Sequence, residues 1–230
     1  MSRLSSAPRA PILCYVTDRH VLSVEDPADA RETLLRKIAA VAAARADWIQ
    51  IREKDLSGRE CASLTREALQ RASQPSTGRT SSARILVNDR LDVALSERAG
   101  GVHLGESSLP VAEAKRLADS RGPHNDFLIG VSCHSLEAAR SAESSGADYI
   151  FFGPVFATPS KAAYGAPQGL ERLAEVCRAV SLPVLAIGGI ALENAASCLA
   201  AGAAGIAAIR LFQDAQDVAS LVKALRTQKV

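Results

Sequence analysis

Residues Asp148 to Lys161 read DYIFFGPVFATPSK, and this stretch sets the fold class of the chain. The apolar run 149–152 predicts a strand that is buried on both faces, which is typical of a parallel sheet in an α/β protein. A Gly-Pro pair ends the strand, and the carboxyl ends of such strands carry the chemistry of these folds. The loop that follows predicts an anion site, for which a phosphate is the best candidate, or else a polar turn with a surface lysine, because it contains Thr158, Ser160 and Lys161.

Strand-like apolar runs alternate with alanine- and leucine-rich segments of helical spacing along the chain. The runs are 12–16, 48–51, 85–87, 102–104, 128–131, 149–152, 184–187 and 205–209. Strict alternation implies right-handed βαβ units around a parallel sheet. About eight such units in 230 residues predict an α/β fold, a single (β/α)₈ TIM barrel over 12–230, preceded by a disordered tail over 1–11.

Composition and charge exclude several classes of partner. Apolar residues make up 47% of the chain, charged residues 23%, and the net charge is +2, which favours a globular enzyme over a nucleic-acid or membrane binder. No apolar stretch is long enough to span a bilayer. The five cysteines are scattered without metal-ligand spacing, which predicts no disulfide framework and a reducing cytoplasmic setting. The sequence leaves the oligomeric state open, with a homo-oligomer as one option.

Polar residues follow the second predicted strand. Period-two alternation places Gln50, Arg52 and Lys54 on one face of the chain at the end of this strand. Two cations and an amide at a barrel mouth suit a diphosphate or a carboxylate. The alternative is that Arg52 and Glu53 form structural ion pairs.

The third and fourth predicted strands also end in polar residues. Asn88 offers a donor and an acceptor that suit the edge of a heterocycle. Asp89 is a candidate Mg²⁺ ligand or, equally, the cap of the following helix. Glu106 is a candidate acid, and Ser107 or Ser108 is expected to cap a helix that starts near Pro110.

The fifth strand leads into Cys133 and His134, which are neighbours and therefore unsuited to a Cys–His nucleophilic pair. His134 is either structural or functional, and Ser135 is expected to cap the next helix.

After the seventh strand, Gly188 and Gly189 predict a sharp turn whose backbone N–H groups approach an anion. Loops after strands seven and eight are the recurrent phosphate site of these barrels, so the turn and the end of strand eight predict a phosphate cup.

Several of these segments together resemble the thiamine-phosphate synthase/TenI-like superfamily over residues 12 to 228. The matching segments are YVTDR from Tyr15, IQIREK from Ile49, VNDRLDVAL from Val87, GVHLG from Gly101, GVS from Gly130, GADY from Gly146, FGPVFATPSK from Phe152 and AIGGI from Ala186. The resemblance implies condensation of hydroxymethylpyrimidine diphosphate with thiazole phosphate, giving thiamine phosphate and diphosphate. Catalysis would rest on electrostatic stabilisation of the leaving diphosphate.

The resemblance also implies a role for individual residues. Arg52, Lys54 and Lys161 would hold the diphosphate, and Asp89 would bind the cofactor Mg²⁺. The pyrimidine would be surrounded by Gln50, Asn88 and Ser132. The thiazole phosphate would be held by Thr158, Ser160, Gly188, Gly189 and the backbone of Ile209 and Arg210.

One position departs from the synthase pattern. The synthases usually carry a second metal-binding Asp where this chain has Ser108, and a neutral hydroxyl does not supply a carboxylate's charge to Mg²⁺. Either Glu106 substitutes for it, or the metal is held less well, or the chain belongs to the TenI-like branch. That branch resembles thiazole tautomerases, for which His134 would be the acid/base group. A third reading is a non-catalytic regulator that binds phosphates of the thiamine pathway.

Overall fold

The computed structural model describes residues 10–22, 27–73, 83–120, 126–158 and 166–228. Eight parallel strands form a closed barrel in sequence order. They are β1 Ile12–Val16, β2 Trp48–Ile51, β3 Arg84–Asn88, β4 Gly101–Leu104, β5 Leu128–Cys133, β6 Tyr149–Phe152, β7 Val184–Ile187 and β8 Gly205–Ala208. The last strand closes on the first, with Ile12 opposite Gly205 and Tyr15 opposite Ala208. The predicted (β/α)₈ barrel is therefore confirmed.

Helices connect successive strands around the outside of the barrel, and further helices follow β8. They are α1 Pro27–Ala43, α2 Gly58–Ala72, α3 Leu91–Ser96, α4 Val111–Asp119, α5 Leu136–Ser144, α6 Gly169–Ala179, α7 Leu192–Ala200, α8 Arg210–Gln213 and α9 Val218–Thr227. A short 3₁₀ turn, Arg19–Val21, follows β1. Within the described ranges, none of these helices has both the length and the apolar character needed to cross a membrane.

The strand boundaries follow from burial. β1, β2, β6 and β7 have the predicted bounds, because each is a mostly apolar run flanked by polar or turn residues. β8 ends one residue earlier than predicted, since Ile209 caps the short helix α8. β5 is longer than predicted and extends to Cys133.

The core has two parts, one inside the barrel and one between the strands and the helices. The interior part is small and is built from seven buried residues, Cys14, Val16, Leu86, Tyr149, Phe151, Leu185 and Ala207. The outer part contains most of the buried aliphatic side chains. All five cysteines are free, and four of them are buried, as expected for small apolar side chains in a core.

Candidate active site

A row of polar side chains joins the carboxyl ends of β2 and β3. Gln50 Nε2 donates to Asn88 Oδ1 at 2.9 Å, and Asn88 Nδ2 donates to Asp89 Oδ2 at 2.9 Å. A carboxylate only accepts hydrogen bonds, so Asp89 fixes the direction of the Asn88 amide, and Asn88 in turn fixes that of Gln50. The structure thus brings together three of the residues that the sequence predicts for the site.

This row leaves one acceptor without a partner. Gln50 is only 1% exposed, and its Oε1 is buried with no hydrogen-bond partner among the described residues. An unsatisfied buried acceptor costs about 1–3 kcal/mol. Because Nε2 is already committed to Asn88, Oε1 can accept only from an incoming donor, and the amino group of a heterocycle is such a donor.

Arg52 lies directly after β2, where its backbone N–H donates to Thr17 Oγ1 at 2.9 Å. Its guanidinium is partly exposed and makes one long ion pair, with Nη1 3.9 Å from Asp18 Oδ2. Lys54 is exposed in the next turn and forms no hydrogen bond or ion pair with any residue that the structure describes. Both cations are therefore available for an anion at the mouth of the barrel.

Glu53 is buried, unlike its two cationic neighbours. Its carboxylate pairs with Arg19 Nη1 at 3.0 Å and accepts the Thr17 hydroxyl at 2.6 Å. The prediction of a structural ion pair at this position is therefore confirmed for Glu53, whereas the Arg52 guanidinium has, among the described residues, one long contact, with Asp18.

Asp89 stands in an exposed turn with φ 58°, in the left-handed region where Asp is one of the tolerated residues. Its Oδ1 accepts the backbone N–H of Gly105 at 3.0 Å and the hydroxyl of Ser108. The prediction that Asp89 caps the following helix is wrong, because Arg90 occupies the N-cap of α3 and no side-chain capping hydrogen bond forms there. The Asp89 carboxylate is instead held across the ends of β3 and β4.

The predicted serine cap of the fourth helix is also wrong. Pro110 is the N-cap of α4 and makes no side-chain hydrogen bond. Ser107 is exposed and Ser108 turns to Asp89, since a carboxylate is a stronger acceptor for its hydroxyl than the alternatives nearby. By contrast, Ser135 does cap α5, as its side chain accepts the backbone N–H of Ala138 at 3.1 Å.

The residues fit a magnesium ion that is shared with a substrate. Within the described part of the chain, no three His, Cys, Asp or Glu side chains cluster into a site made of protein alone. Mg²⁺ commonly uses one or two carboxylates and completes its coordination with substrate phosphates and water. Asp89 supplies one exposed carboxylate, held in place by Ser108 and Gly105. Glu106 is also exposed, and its Oε1 accepts the backbone N–H of His134 at 3.2 Å.

Ser132 on β5 is tied to two buried residues of the barrel interior. Its Oγ lies 2.9 Å from His103 Nε2, and His103 Nδ1 lies 3.1 Å from the Tyr149 hydroxyl. Burial lowers the pKa of His103 to about 3, so its imidazole is neutral. The neutral ring therefore positions the Ser132 hydroxyl without placing a charge beneath it.

His134 follows β5 at the same end of the barrel. Its Nδ1 is hydrogen-bonded to the carbonyl oxygen of Gly153. A carbonyl only accepts, so Nδ1 carries the hydrogen and a neutral His134 has Nε2 as an acceptor. The structure thus places His134 against the loop after β6 and leaves one ring nitrogen able to take a proton.

The glycine turn after β7 packs directly on the loop after β6. Val155 and Phe156 donate their backbone N–H groups to the carbonyls of Ile187 and Gly188, at 2.9 and 3.0 Å. Gly188 and Gly189 have φ of 93° and 66°, which side chains rarely adopt. A Cβ on Gly188 would lie 2.5 Å from Pro154 Cα. The two glycines are therefore required by close packing as well as by backbone conformation.

The end of β8 leads straight into a helix. Ile209 is the N-cap of α8, and Arg210 is its first residue and is exposed. The first N–H groups of a helix have no acceptor within it, so they are available to an anion. Thr158, which is also expected to hold the thiazole phosphate, is half-buried in the loop after β6. Ser160 and Lys161 lie outside the described residues, and their roles stay predictions.

The comparisons with known proteins agree with this geometry. The profile of the thiamine monophosphate synthase family matches residues 21–212. The chain belongs to this family. A thiamine-phosphate synthase of Methanocella arvoryzae is 46% identical over 185 residues, covering 80% of this chain and 82% of that protein.

Two further relatives extend this family assignment. A thiamine-phosphate synthase of Moorella thermoacetica is 41% identical over 192 residues, covering 84% of this chain and 86% of that protein. The solved structure of a thiamine phosphate pyrophosphorylase from Pyrococcus furiosus is 34% identical, with a TM-score of 0.75 and 94% coverage of each chain. The predicted superfamily is thus confirmed, and the likeness extends over nearly the whole chain.

Sequence reasoning assigned no role to several residues that build the site. His103 is a polar residue within an apolar strand, and this signal alone could have drawn attention to it. Thr17, Asp18 and Arg19 belong to a segment that carried the family resemblance. Gln213 gave no signal, because its partner Tyr15 is 198 residues away.

Proposed function

We propose that this chain is a thiamine-phosphate synthase, which joins hydroxymethylpyrimidine diphosphate to thiazole phosphate and releases diphosphate. The observation that carries the proposal is the row Gln50–Asn88–Asp89. It combines an unpartnered acceptor for a heterocyclic amine with a carboxylate suited to Mg²⁺, on adjacent strand ends. A pyrimidine that carries a diphosphate has both complementary groups. Family membership and the named relatives support the same reaction.

The pyrimidine would be held by three polar side chains. Gln50 Oε1 would accept a hydrogen bond from the amino group, Asn88 would orient Gln50, and Ser132 would donate a hydrogen bond from β5. His103 keeps the Ser132 hydroxyl in place and remains neutral. The three side chains would therefore orient the pyrimidine by hydrogen bonds alone, and none of them would act as a general base on the ring.

The leaving diphosphate would be held by Arg52, Lys54 and Lys161. The bond between the pyrimidine methylene carbon and the diphosphate oxygen breaks, and its electron pair leaves with the diphosphate. The resulting carbocation is then captured by the lone pair of the thiazole nitrogen, which forms the new C–N bond. Fixed cations lower the barrier because the negative charge develops on the leaving group.

Mg²⁺ would be bound by Asp89 and by diphosphate oxygens. When bound, it supplies additional positive charge to the leaving group. Ser108 would orient Asp89 rather than bind the ion, because its hydroxyl is already directed at this carboxylate. Glu106 is the second candidate ligand and would have to turn away from the His134 backbone to reach the ion.

The thiazole phosphate would occupy the cup beside the glycine turn. We propose that Thr158 and Ser160 hold it from the loop after β6, together with the backbone at Gly188, Gly189, Ile209 and Arg210. Positive φ at both glycines lets the turn pack closely on the loop after β6.

A second candidate function is a thiazole tautomerase. The observation that favours it is the bond between His134 Nδ1 and the Gly153 carbonyl, which leaves Nε2 as a proton acceptor at the mouth. Such an enzyme would need no diphosphate site. It would therefore depend on His134 and be insensitive to Lys161.

Two substitutions separate these functions. Lys161→Ala should lower synthase turnover by about 100-fold or more, because it removes a charge from the leaving group. His134→Ala should leave synthase turnover within a few-fold of the wild type. Lys223→Ala, at an exposed lysine on α9, is the matched control. Both the wild type and the variants are assayed with the two synthase substrates and Mg²⁺, then with the thiazole tautomer alone.

The opposite pattern, with tautomer conversion lost in His134→Ala and no thiamine phosphate formed by the wild type, would establish the tautomerase. Binding of phosphates without turnover of either substrate would indicate a regulator.

We further propose that the synthase works in the cytoplasm on these small molecules, as a single barrel domain over 12–230 with a tail over 1–11. The oligomeric state stays open, with a homo-oligomer as one option. Sedimentation of the purified chain tests the oligomeric state. The reducing setting agrees with five free cysteines.

A further inference from the structure

The Glu53 carboxylate is the most completely buried acidic group near the mouth, with a side chain that is 0% exposed. It accepts the Thr17 hydroxyl at 2.6 Å, the Arg19 backbone N–H at 3.1 and 3.2 Å, and the Arg19 guanidinium at 3.0 Å. Burying a carboxylate is costly unless it is paired and hydrogen-bonded, and here both conditions hold. Glu53 therefore fixes the segment that follows β1.

Thr17 connects Glu53 to Arg52 through hydrogen bonds. Its fully buried hydroxyl donates to Glu53 and also accepts the backbone N–H of Arg52 at 2.9 Å. Asp18, the next residue, lies 3.9 Å from the Arg52 guanidinium. The Arg52 backbone is thus held by this hydrogen bond, while its guanidinium has one long contact among the described residues and can bind a ligand.

The same segment is also tied to the end of the barrel strand β8. Gln213 Nε2 donates to the Asp18 carbonyl at 2.6 Å, and Gln213 Oε1 accepts the Tyr15 hydroxyl at 3.1 Å. Gln213 is the last residue of α8, and the helix begins at Arg210. The loops after β1, β2 and β8 therefore form one hydrogen-bonded unit.

We infer that Glu53 is a positioning residue for Arg52, which acts through Thr17 to aim the guanidinium at the leaving diphosphate. The inference rests on the proposed function for its role in turnover. Glu53 itself touches no substrate. A misplacement of about 1 Å in such a group costs on the order of 100-fold in rate.

Four variants test this role. Thr17→Val removes the hydroxyl with little change of volume, Thr17→Ser keeps the hydroxyl, Glu53→Gln removes the buried charge, and Arg52→Ala removes the guanidinium. Glu97→Gln is the matched control, because Glu97 is a largely buried partner of Arg66 at 2.7 Å on the outer helices. Urea unfolding confirms that each variant is folded. If Glu53→Gln does not fold, the pair Thr17→Val and Thr17→Ser decides the question.

Two measurements are made on each variant: calorimetric binding of inorganic diphosphate with Mg²⁺, and kcat and KM for both synthase substrates. Thr17→Val and Glu53→Gln should weaken diphosphate binding and lower kcat by about 10- to 100-fold, with KM for thiazole phosphate unchanged. Thr17→Ser and Glu97→Gln should behave like the wild type. In an Arg52→Ala background, Thr17→Val should cause no further loss, because interacting residues are not additive.

Losses that add fully to that of Arg52→Ala would overturn the inference, as would diphosphate binding in Thr17→Val equal to that of the wild type. Diphosphate binding needs no turnover, so this readout decides the positioning role even if the wild type forms no thiamine phosphate. A wild-type protein that forms no thiamine phosphate would count against the proposed function alone.

Discussion

Substitution of Gly188 by alanine should damage both the stability of the barrel and its proposed phosphate cup. Gly188 has φ 93°, and an added Cβ would lie 2.5 Å from both Cα and Cβ of Pro154. The left-handed backbone costs an alanine about 1–2 kcal/mol. Carbon atoms normally approach to about 3.5–4.0 Å, so the loop after β6 must move by about 1 Å.

Overpacking of this kind costs about 1–3 kcal/mol, so the total loss of unfolding free energy should be about 2–5 kcal/mol. Two other glycines with positive φ separate the contributions. Gly169 has φ 76° and an added Cβ would meet nothing within 4 Å, so Gly169→Ala measures backbone strain alone. Gly202 has φ 101°, and its Cβ would lie 3.1 Å from Cys177 Cβ on the outer helix α6.

The assay combines urea unfolding with steady-state kinetics for the three variants. Gly188→Ala should lose the most stability and should raise KM for thiazole phosphate by about 100-fold, because the displaced loop carries Thr158. Gly202→Ala should lose stability and leave both KM values unchanged. A Gly188→Ala protein as stable as Gly169→Ala, with an unchanged KM for thiazole phosphate, would refute the argument that close packing of the two loops shapes the cup.

Two further predictions concern ionisable groups. Burial lowers the pKa of His103 from 6.5 to about 3, so between these values the unfolded chain binds one more proton at this position than the folded chain. Stability from this group is therefore present above pH 6.5 and is lost on acidification, by about 1.4 kcal/mol per pH unit down to pH 3. The unfolding free energy of His103→Gln should lack this component, and parallel pH profiles for the two proteins would contradict the prediction. Ser108→Asp should place a second carboxylate beside Asp89, lower Tm without metal through like-charge repulsion, and tighten Mg²⁺ binding by about tenfold, measured by calorimetry and by the Mg²⁺-dependent rise in Tm. An unchanged Mg²⁺ affinity would place the ion elsewhere.

The sequence was sufficient to predict the barrel because its strands are buried on both faces. Runs such as Tyr149–Phe152 and Val184–Ile187 are continuously apolar and are bounded by turn residues, so their limits can be read directly. The proposed location of the phosphate cup rests on the position of the glycine turn in the eightfold pattern. The sequence predicted a sharp turn at the two glycines but not their close packing. The contact of Gly188 with Pro154 depends on how two loops pack in three dimensions.

Local sequence could not show which hydrogen-bond partner each polar residue would have. Ser108 had two alternatives, a helix cap and the carboxylate of Asp89, and the second lies 19 residues away. The bond between Thr17 and Glu53 spans 36 residues, and that between Tyr15 and Gln213 spans 198. The first bond depends on the pairing of β1 with β2, and the second depends on closure of the barrel, in which β8 pairs with β1. The positioning network therefore required the structure.

The proposed reaction joins the two substrates at the mouth of the barrel and releases diphosphate. It is tested most directly by incubating the purified wild-type chain with hydroxymethylpyrimidine diphosphate, thiazole phosphate and Mg²⁺, while ³¹P NMR and mass spectrometry follow the products. We expect thiamine phosphate and diphosphate to appear together in equal amounts. Consumption of neither substrate at saturating concentrations, or release of diphosphate without thiamine phosphate, would contradict it.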